Sequence, residues 1–144
     1  MESQNLGRED YQSALRVGEA LRERGWRTAF SLPQMVEGWS GLIEEIREGY
    51  DWCADEYKGD FACREWLEQA LPLLTEPVRV NWQGIVDQLD EKFREVTVDD
   101  DGAALRPFGV TGRWWLRRRP KVLVGELARD LACNGGDGTS AAGA

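Results

Sequence analysis

The sequence contains no histidine. That absence removes the Ser-His and Cys-His nucleophile pairs, imidazole-based zinc sites and the Glu-x-x-His motif of di-iron bundles, so catalysis of any kind would have to run on carboxylates, lysine, tyrosine or backbone groups. Cysteine is scarce. Cys53, Cys63 and Cys133 form no close-spaced pair, and an odd count reads as free thiols, with Cys53 and Cys63 as small core residues, rather than as a disulfide frame or zinc site. Long apolar runs are missing too: nothing approaches the roughly 18 residues of a membrane span. The opening residues MESQNLGREDYQ carry neither the cationic start nor the apolar run of a secretory signal, so a cytoplasmic address without a membrane partner is expected.

What is present belongs to a folded globular chain. Of 144 residues, 42% are apolar and 31% charged, and seven are tryptophan, which sets the protein apart from acidic disordered chains poor in aromatics. One helical domain over residues 1–133 is expected, followed by a flexible Gly, Ala and Ser tail over 134–144 with nothing to bury.

Apolar spacing predicts an all-α antiparallel bundle of about four to five helices with an irregular C-terminal segment. Tyr11, Ala14, Leu15, Gly18 and Leu21 mark a first helix that stops at Gly25. Met35, Trp39, Leu42, Ile46, Tyr50, Cys53 and Tyr57 follow at steps of four and three, which predicts one continuous helix over 33–57 with a buried stripe. A third helix opens at Asp60, carries Cys63, Trp66, Leu67 and Ala70 inward, and stops at Pro72. A fourth opens at Thr75 and Pro77, with Val78, Trp82, Ile85, Leu89, Phe93 and Val96 facing the core. Pro120 is the expected start of a last short helix with Leu123, Leu127 and Leu131, while the spacing leaves residues 103–120 open between extended and helical.

Charge is unevenly spread. The formal net charge is −8, yet residues 37–76 hold eleven acids against three bases and residues 102–144 three acids against seven bases. Glu37, Glu44, Glu48, Asp51 and Asp55 fall together on the side of the second helix opposite its apolar stripe. Glu44 with Glu48, and Asp51 with Asp55, place like charges at i,i+4, a spacing that is unfavourable in isolation. Such a face is either simply solvated or the docking surface for a basic partner protein. Trp52 lies off the apolar stripe and beside these acids, so it is the candidate aromatic anchor of that surface; Trp26 and one of Trp114 and Trp115 are further candidates.

The opposite feature is GRWWLRRRPK over 112–121, with Arg113, Trp114, Trp115, Arg117, Arg118 and Arg119. Tryptophans interleaved with arginines can stack bases and track phosphates, but a chain of net charge −8 opposes a polyanion, so nucleic acid is not the expected partner. The preferred expectation is that one tryptophan packs inward and the arginines stack on or pair with groups of the same molecule.

Two resemblances bear on function. Glu44-Glu45-Ile46-Arg47-Glu48 has the form E-E-x-x-E, and with Glu65 and Glu68 downstream it resembles the paired acidic helices of all-α nucleotide pyrophosphohydrolases of the MazG and dimeric dUTPase type. That resemblance implies Mg²⁺ held by Glu44, Glu45, Glu48, Glu65 and Glu68 for phosphate-ester hydrolysis, although Glu68 stands where the family has Asp. More broadly, Trp39, GY at 49–50, EYKGD at 56–60, LDEKFREVT at 89–97 and WWLRRRP at 114–120 make the chain similar to small helical proteins of actinobacteria without an assigned activity. This second resemblance implies a helical fold and no function. The leading expectation is therefore a small acidic interaction module, of inhibitor or immunity type, that covers a basic surface on its partner, without catalytic residues or a cofactor. The rival is the Mg²⁺-dependent hydrolase. Oligomeric state is left open by the sequence.

Overall fold

Apolar residues at helical spacing fold as helix along most of the chain. The computed structural model describes residues 7–109 and 112–134, the side chains of 133 and 134 apart, so the Cys133 thiol and the expected tail beyond Asn134 lie outside the described residues. In order come α1 (Arg8–Glu23), α2 (Leu32–Glu48), α3 (Ala54–Gly59), α4 (Ala62–Ala70), α5 (Glu76–Glu95), the strands β1 (Thr97–Asp99) and β2 (Arg118–Pro120), and α6 (Gly125–Asn134). The fold is all-α as the periodicity predicts, with five helices of nine residues or more and a six-residue α3. Contacts divide the chain into two compact units, one drawn from Met1–Ser40 and Ala62–Asp90, the other from Gly41–Phe61 and Glu91–Ala144.

In the first unit α1 packs on α4 and buries Val17, Gly18 and Leu21. Tyr11 and Leu15, expected to face inward, are 56% and 81% exposed instead, because the covered edge of the helix is the one through Val17 and Leu21. The start of α1 is fixed by Asp10, whose carboxylate accepts the Gly7 N–H at 2.8 Å and the Thr75 hydroxyl, a reciprocal N-terminal cap. Leu32, Met35 and Trp39 from α2 join Trp66, Leu67 and Ala70 from α4 in the core. On the part of α5 within this unit the buried set is Val78, Val86 and Asp90, so the expected stripe is right at Val78 and displaced in the middle. Trp82 and Leu89 are half-buried and Ile85 is 37% exposed.

The second unit corrects the expectation of one rod over 33–57. The α2 helix ends at Glu48, and Gly49 takes φ 119°, a left-handed conformation that favours glycine and cannot continue a right-handed helix. Its N–H closes the last turn on the Glu45 and Ile46 carbonyls. The chain then runs without helix to Cys53 and re-enters as α3. Tyr50 and Tyr57 are buried although the helix between them is interrupted, and they stack edge-on at 5.0 Å. The edge-to-face series continues through Phe61, Phe93, Trp114 and Trp115, which makes an aromatic spine for this unit. Cys53 and Cys63 are half-buried rather than core residues.

The short strands pair antiparallel, with Thr97 opposite Pro120, Val98 opposite Arg119 and Asp99 opposite Arg118. Residues 103–109 and 112–120 thus resolve into turns, single turns of 3-10 helix at Arg106–Phe108 and Trp114–Arg117, and a strand, while 110 and 111 lie outside the described residues. Pro120 does not open the last helix. It ends β2, while α6 begins five residues later at Gly125 and buries Leu127 and Leu131, leaving Leu123 36% exposed.

Candidate functional site

The acidic residues occupy two settings. Glu37 is exposed on the portion of α2 that belongs to the first unit. Glu44, Glu45 and Glu48 are exposed on its last turns, Asp51 and Trp52 on the non-helical link, and Asp55 on the first turn of α3, all within the second unit. Glu44 pairs with Arg47, and together with Glu48 it holds that guanidinium above its usual range. Asp55 pairs loosely with Lys58 at 3.6 Å, but the Lys58 ammonium also donates to the Phe108 carbonyl at 3.0 Å. Glu37, Glu48 and Asp51 have no ion-pair partner within 4 Å among the described residues. Trp52, the expected anchor, is 56% exposed and follows Asp51 on the non-helical link.

What holds this stretch in place is residues 122–130, a contact that sequence reasoning missed. The Glu126 N–H donates to the Asp51 carbonyl at 3.2 Å, and the Asp130 carboxylate accepts the Ala54 N–H at 2.9 Å, capping α3 from outside. Gly125 comes so close that a Cβ there would stand 2.5 Å from Asp51 Cβ. Val124 and Val122 pack over Gly49. The aromatic neighbours below are set apart by their hydrogen bonds: the Tyr50 hydroxyl donates to Asp60, whereas the fully buried Tyr57 hydroxyl has no partner among the described residues. Burial pushes both phenols well above the usual tyrosine range, with the Asp60 carboxylate adding to the shift of Tyr50 and Asp100 to that of Tyr57.

The basic segment is engaged within its own unit. Trp115 is 1% exposed and Trp114 half-buried, so one tryptophan packs inward as expected. The Arg94 guanidinium lies 4.1 Å from the Trp114 ring centre and Arg113 lies 5.8 Å from that of Trp115. Arg117 pairs with Asp101 at 3.1 Å, Arg118 donates to the Thr97 hydroxyl at 2.8 Å, and Arg119 donates to the Pro120 carbonyl at 3.1 Å. Each of these contacts engages part of a guanidinium with a protein group of the same unit.

Three of the five carboxylates of the hydrolase-like pattern, Glu44, Glu65 and Glu68, have other partners. Glu65 accepts from Gln69 at 2.8 Å and Glu68 pairs with Arg64 at 3.1 Å, both in the first unit, while Glu44, Glu45 and Glu48 belong to the second. Among the described residues no three acidic or thiol groups are gathered so as to hold a metal ion. The most enclosed polar cluster is a different one: Arg64 and Asp90 form a buried pair whose carboxylate also accepts the Trp39 indole N–H at 3.0 Å. The signal for it was present, since Asp90 falls four residues after Val86 and three before Phe93, on the inward face of α5. A groove of about 590 Å³ between α1 and α5 is lined by Tyr11, Ala14, Val80, Trp82 and Ile85 among others.

No helix among the described residues is long and apolar enough to cross a membrane. In comparisons with known proteins, no family model, no curated protein and no solved structure matches the chain.

Proposed function

We propose that this chain is a small acidic interaction module that binds a basic surface of a partner protein, in the manner of an inhibitor or immunity protein. The observation that carries the reading is Trp52, 56% exposed on a non-helical link between α2 and α3, with the exposed Glu48, Asp51 and Asp55 within four residues of it in sequence. An exposed indole in a polar surround is the composition of an interface hot spot, since it supplies a large contact area at small entropic cost. Unneutralised carboxylates beside it supply complementary potential and speed encounter with a cationic partner. Residues 122–130 brace the link from behind, so the surface is preorganised and the partner need not order it.

The test is affinity capture from the native cell at low salt, with the wild-type chain and with Glu48→Lys/Asp51→Lys/Asp55→Lys as bait. A basic protein retained by the wild type and lost by the reversed variant supports the reading. Equal retention by both baits would remove it.

A further inference from the structure

Among the described residues of the second unit, the exposed large apolar side chains are Trp52 (56%), Val122 (42%), Leu123 (36%) and Val124 (37%). They come from positions seventy residues apart, yet the two segments that carry them are fastened to each other. Val124 and Val122 approach the place of a Gly49 Cβ to 3.2 and 3.7 Å, and Glu126 N–H reaches the Asp51 carbonyl. Asp130 caps Ala54. Trp52, Val122 and Val124 therefore stand on two segments fastened side by side along a seam, whereas Leu123 lines a separate hollow with Ala104, Ala128 and Leu131, and neighbouring apolar surface marks an interaction site more reliably than isolated side chains do. Around the seam the exposed carboxylates of the same two segments are Glu48, Asp51, Asp55 and Glu126, against the exposed cations Lys121 and Arg129.

We propose that this seam receives a basic amphipathic segment of a partner protein, its apolar side chains seated on Trp52, Val122 and Val124 and its Lys or Arg side chains meeting Glu48, Asp51, Asp55 and Glu126. The proposal rests on the reading of the acidic face as a docking surface and adds to it an apolar centre and a partner chemistry. An apolar centre with a charged rim is the anatomy of a protein interface. Anionic lipid headgroups would be repelled by the flanking carboxylates, and a second copy of this chain would set like charges against each other.

The test uses three labelled synthetic helical peptides followed by fluorescence anisotropy at low salt: an amphipathic Leu and Lys peptide, a Ser and Lys peptide of equal charge, and a Leu and Glu peptide. The Leu and Lys peptide is expected to bind about tenfold tighter than the Ser and Lys peptide, and Trp52→Ala and Val122→Ser/Val124→Ser are each expected to remove about that advantage, one tenfold step being an ordinary loss for an interface anchor. Val80→Ser, an exposed apolar change in the first unit, should leave binding unchanged. Because Val122 and Val124 also cover Gly49, Trp52→Ala and the charge-only variant Glu126→Lys serve where the valine variant is destabilised. Equal binding of the two basic peptides, both lost on reversing Glu48, Asp51 and Asp55, would overturn the apolar seam and leave the acidic docking surface standing. Failure of both basic peptides to bind would overturn the seam and the docking surface together. Dimers in sedimentation that disperse in Trp52→Ala would reassign the seam to self-association and overturn the partner.

Discussion

Asp90 receives Arg64 in a bidentate grip, with Nε at 3.0 Å and Nη2 at 2.9 Å, and the two side chains are only 7% and 4% exposed. The same carboxylate oxygen that takes Nε also accepts the Trp39 indole N–H, so one acid ties α2, α4 and α5 together inside the first unit. Asp90→Ala leaves the buried Arg64 guanidinium with only the part-exposed Glu68 as counter-charge and is expected to destabilise by roughly 3 kcal/mol in urea unfolding. Arg64→Met/Asp90→Leu should recover part of that loss, because removing both charges removes their desolvation penalty while the Trp39 indole N–H still loses its acceptor. A double variant as unstable as Asp90→Ala would show that the pair contributes by more than mutual neutralisation.

Tyr50 and Tyr57 stack on each other but should respond oppositely to loss of their hydroxyls. Tyr50→Phe deletes the bond to Asp60 and is expected to cost about 1 kcal/mol, whereas Tyr57→Phe removes a buried hydroxyl without a partner and is expected to be neutral or stabilising by a similar amount. Their raised pKa values add a pH dependence. A phenol whose folded pKa exceeds its unfolded value contributes stability that is complete below about pH 10 and lost as pH rises above it, since the unfolded chain ionises first. Thermal melts from pH 8 to 11.5 should show this loss, reduced in Tyr57→Phe. A Tyr57→Phe protein with an unchanged alkaline limb would contradict it.

At the acid end the relevant group is Asp10, held below the usual carboxylate range first by the Thr75 hydroxyl and then by the Gly7 N–H. A depressed folded pKa gives stability that is present above about pH 4 and lost as pH falls through the folded value. Asp10→Asn and Thr75→Val should each flatten the acid limb of the melting curve below pH 4. The reverse sign would mean that the cap does not prefer the ionised acid.

How far the fold was legible follows from what each element depends on. The stripes of α2 and α5 read clearly because periodicity is a local property, and Trp39, Ile46, Val78 and Phe93 are buried where their spacing places them. The break after Glu48 was hidden because Tyr50 and Tyr57 remain buried across it, so an uninterrupted helix and an interrupted one give the same apolar pattern. Thr97–Asp99 and Arg118–Pro120 are strands of three residues that exist only by pairing across the eighteen residues between them, and no short window of sequence carries that information. At the candidate site the exposure of Trp52 and its acids was legible from their place off the stripe. The bracing by Val122, Val124 and Gly125 was not, because Pro120 is a natural helix opener and drew the last helix too early.

Gly125 offers a direct test of that bracing. Its φ of 59° and the 2.5 Å approach of a built Cβ to Asp51 mean that Gly125→Ala both strains the backbone and pushes the 49–54 link away. A loss of about 1–3 kcal/mol is expected, with faster amide exchange at Ala54 and Glu126, whose N–H bonds cross the seam. Unchanged exchange at both amides would detach the link from α6.

The central claim, that the carboxylates beside Trp52 meet a cationic partner, is tested most directly by the salt dependence of binding to the captured protein. Wild-type affinity is predicted to fall steadily as ionic strength rises from 0.02 to about 0.3 M, since screening shortens to within the span of the interface. Glu48→Lys/Asp51→Lys/Asp55→Lys is predicted to bind weakly with a flat or inverted salt response. The same steep salt response in wild type and reversed variant would place the partner elsewhere on the molecule and contradict the account.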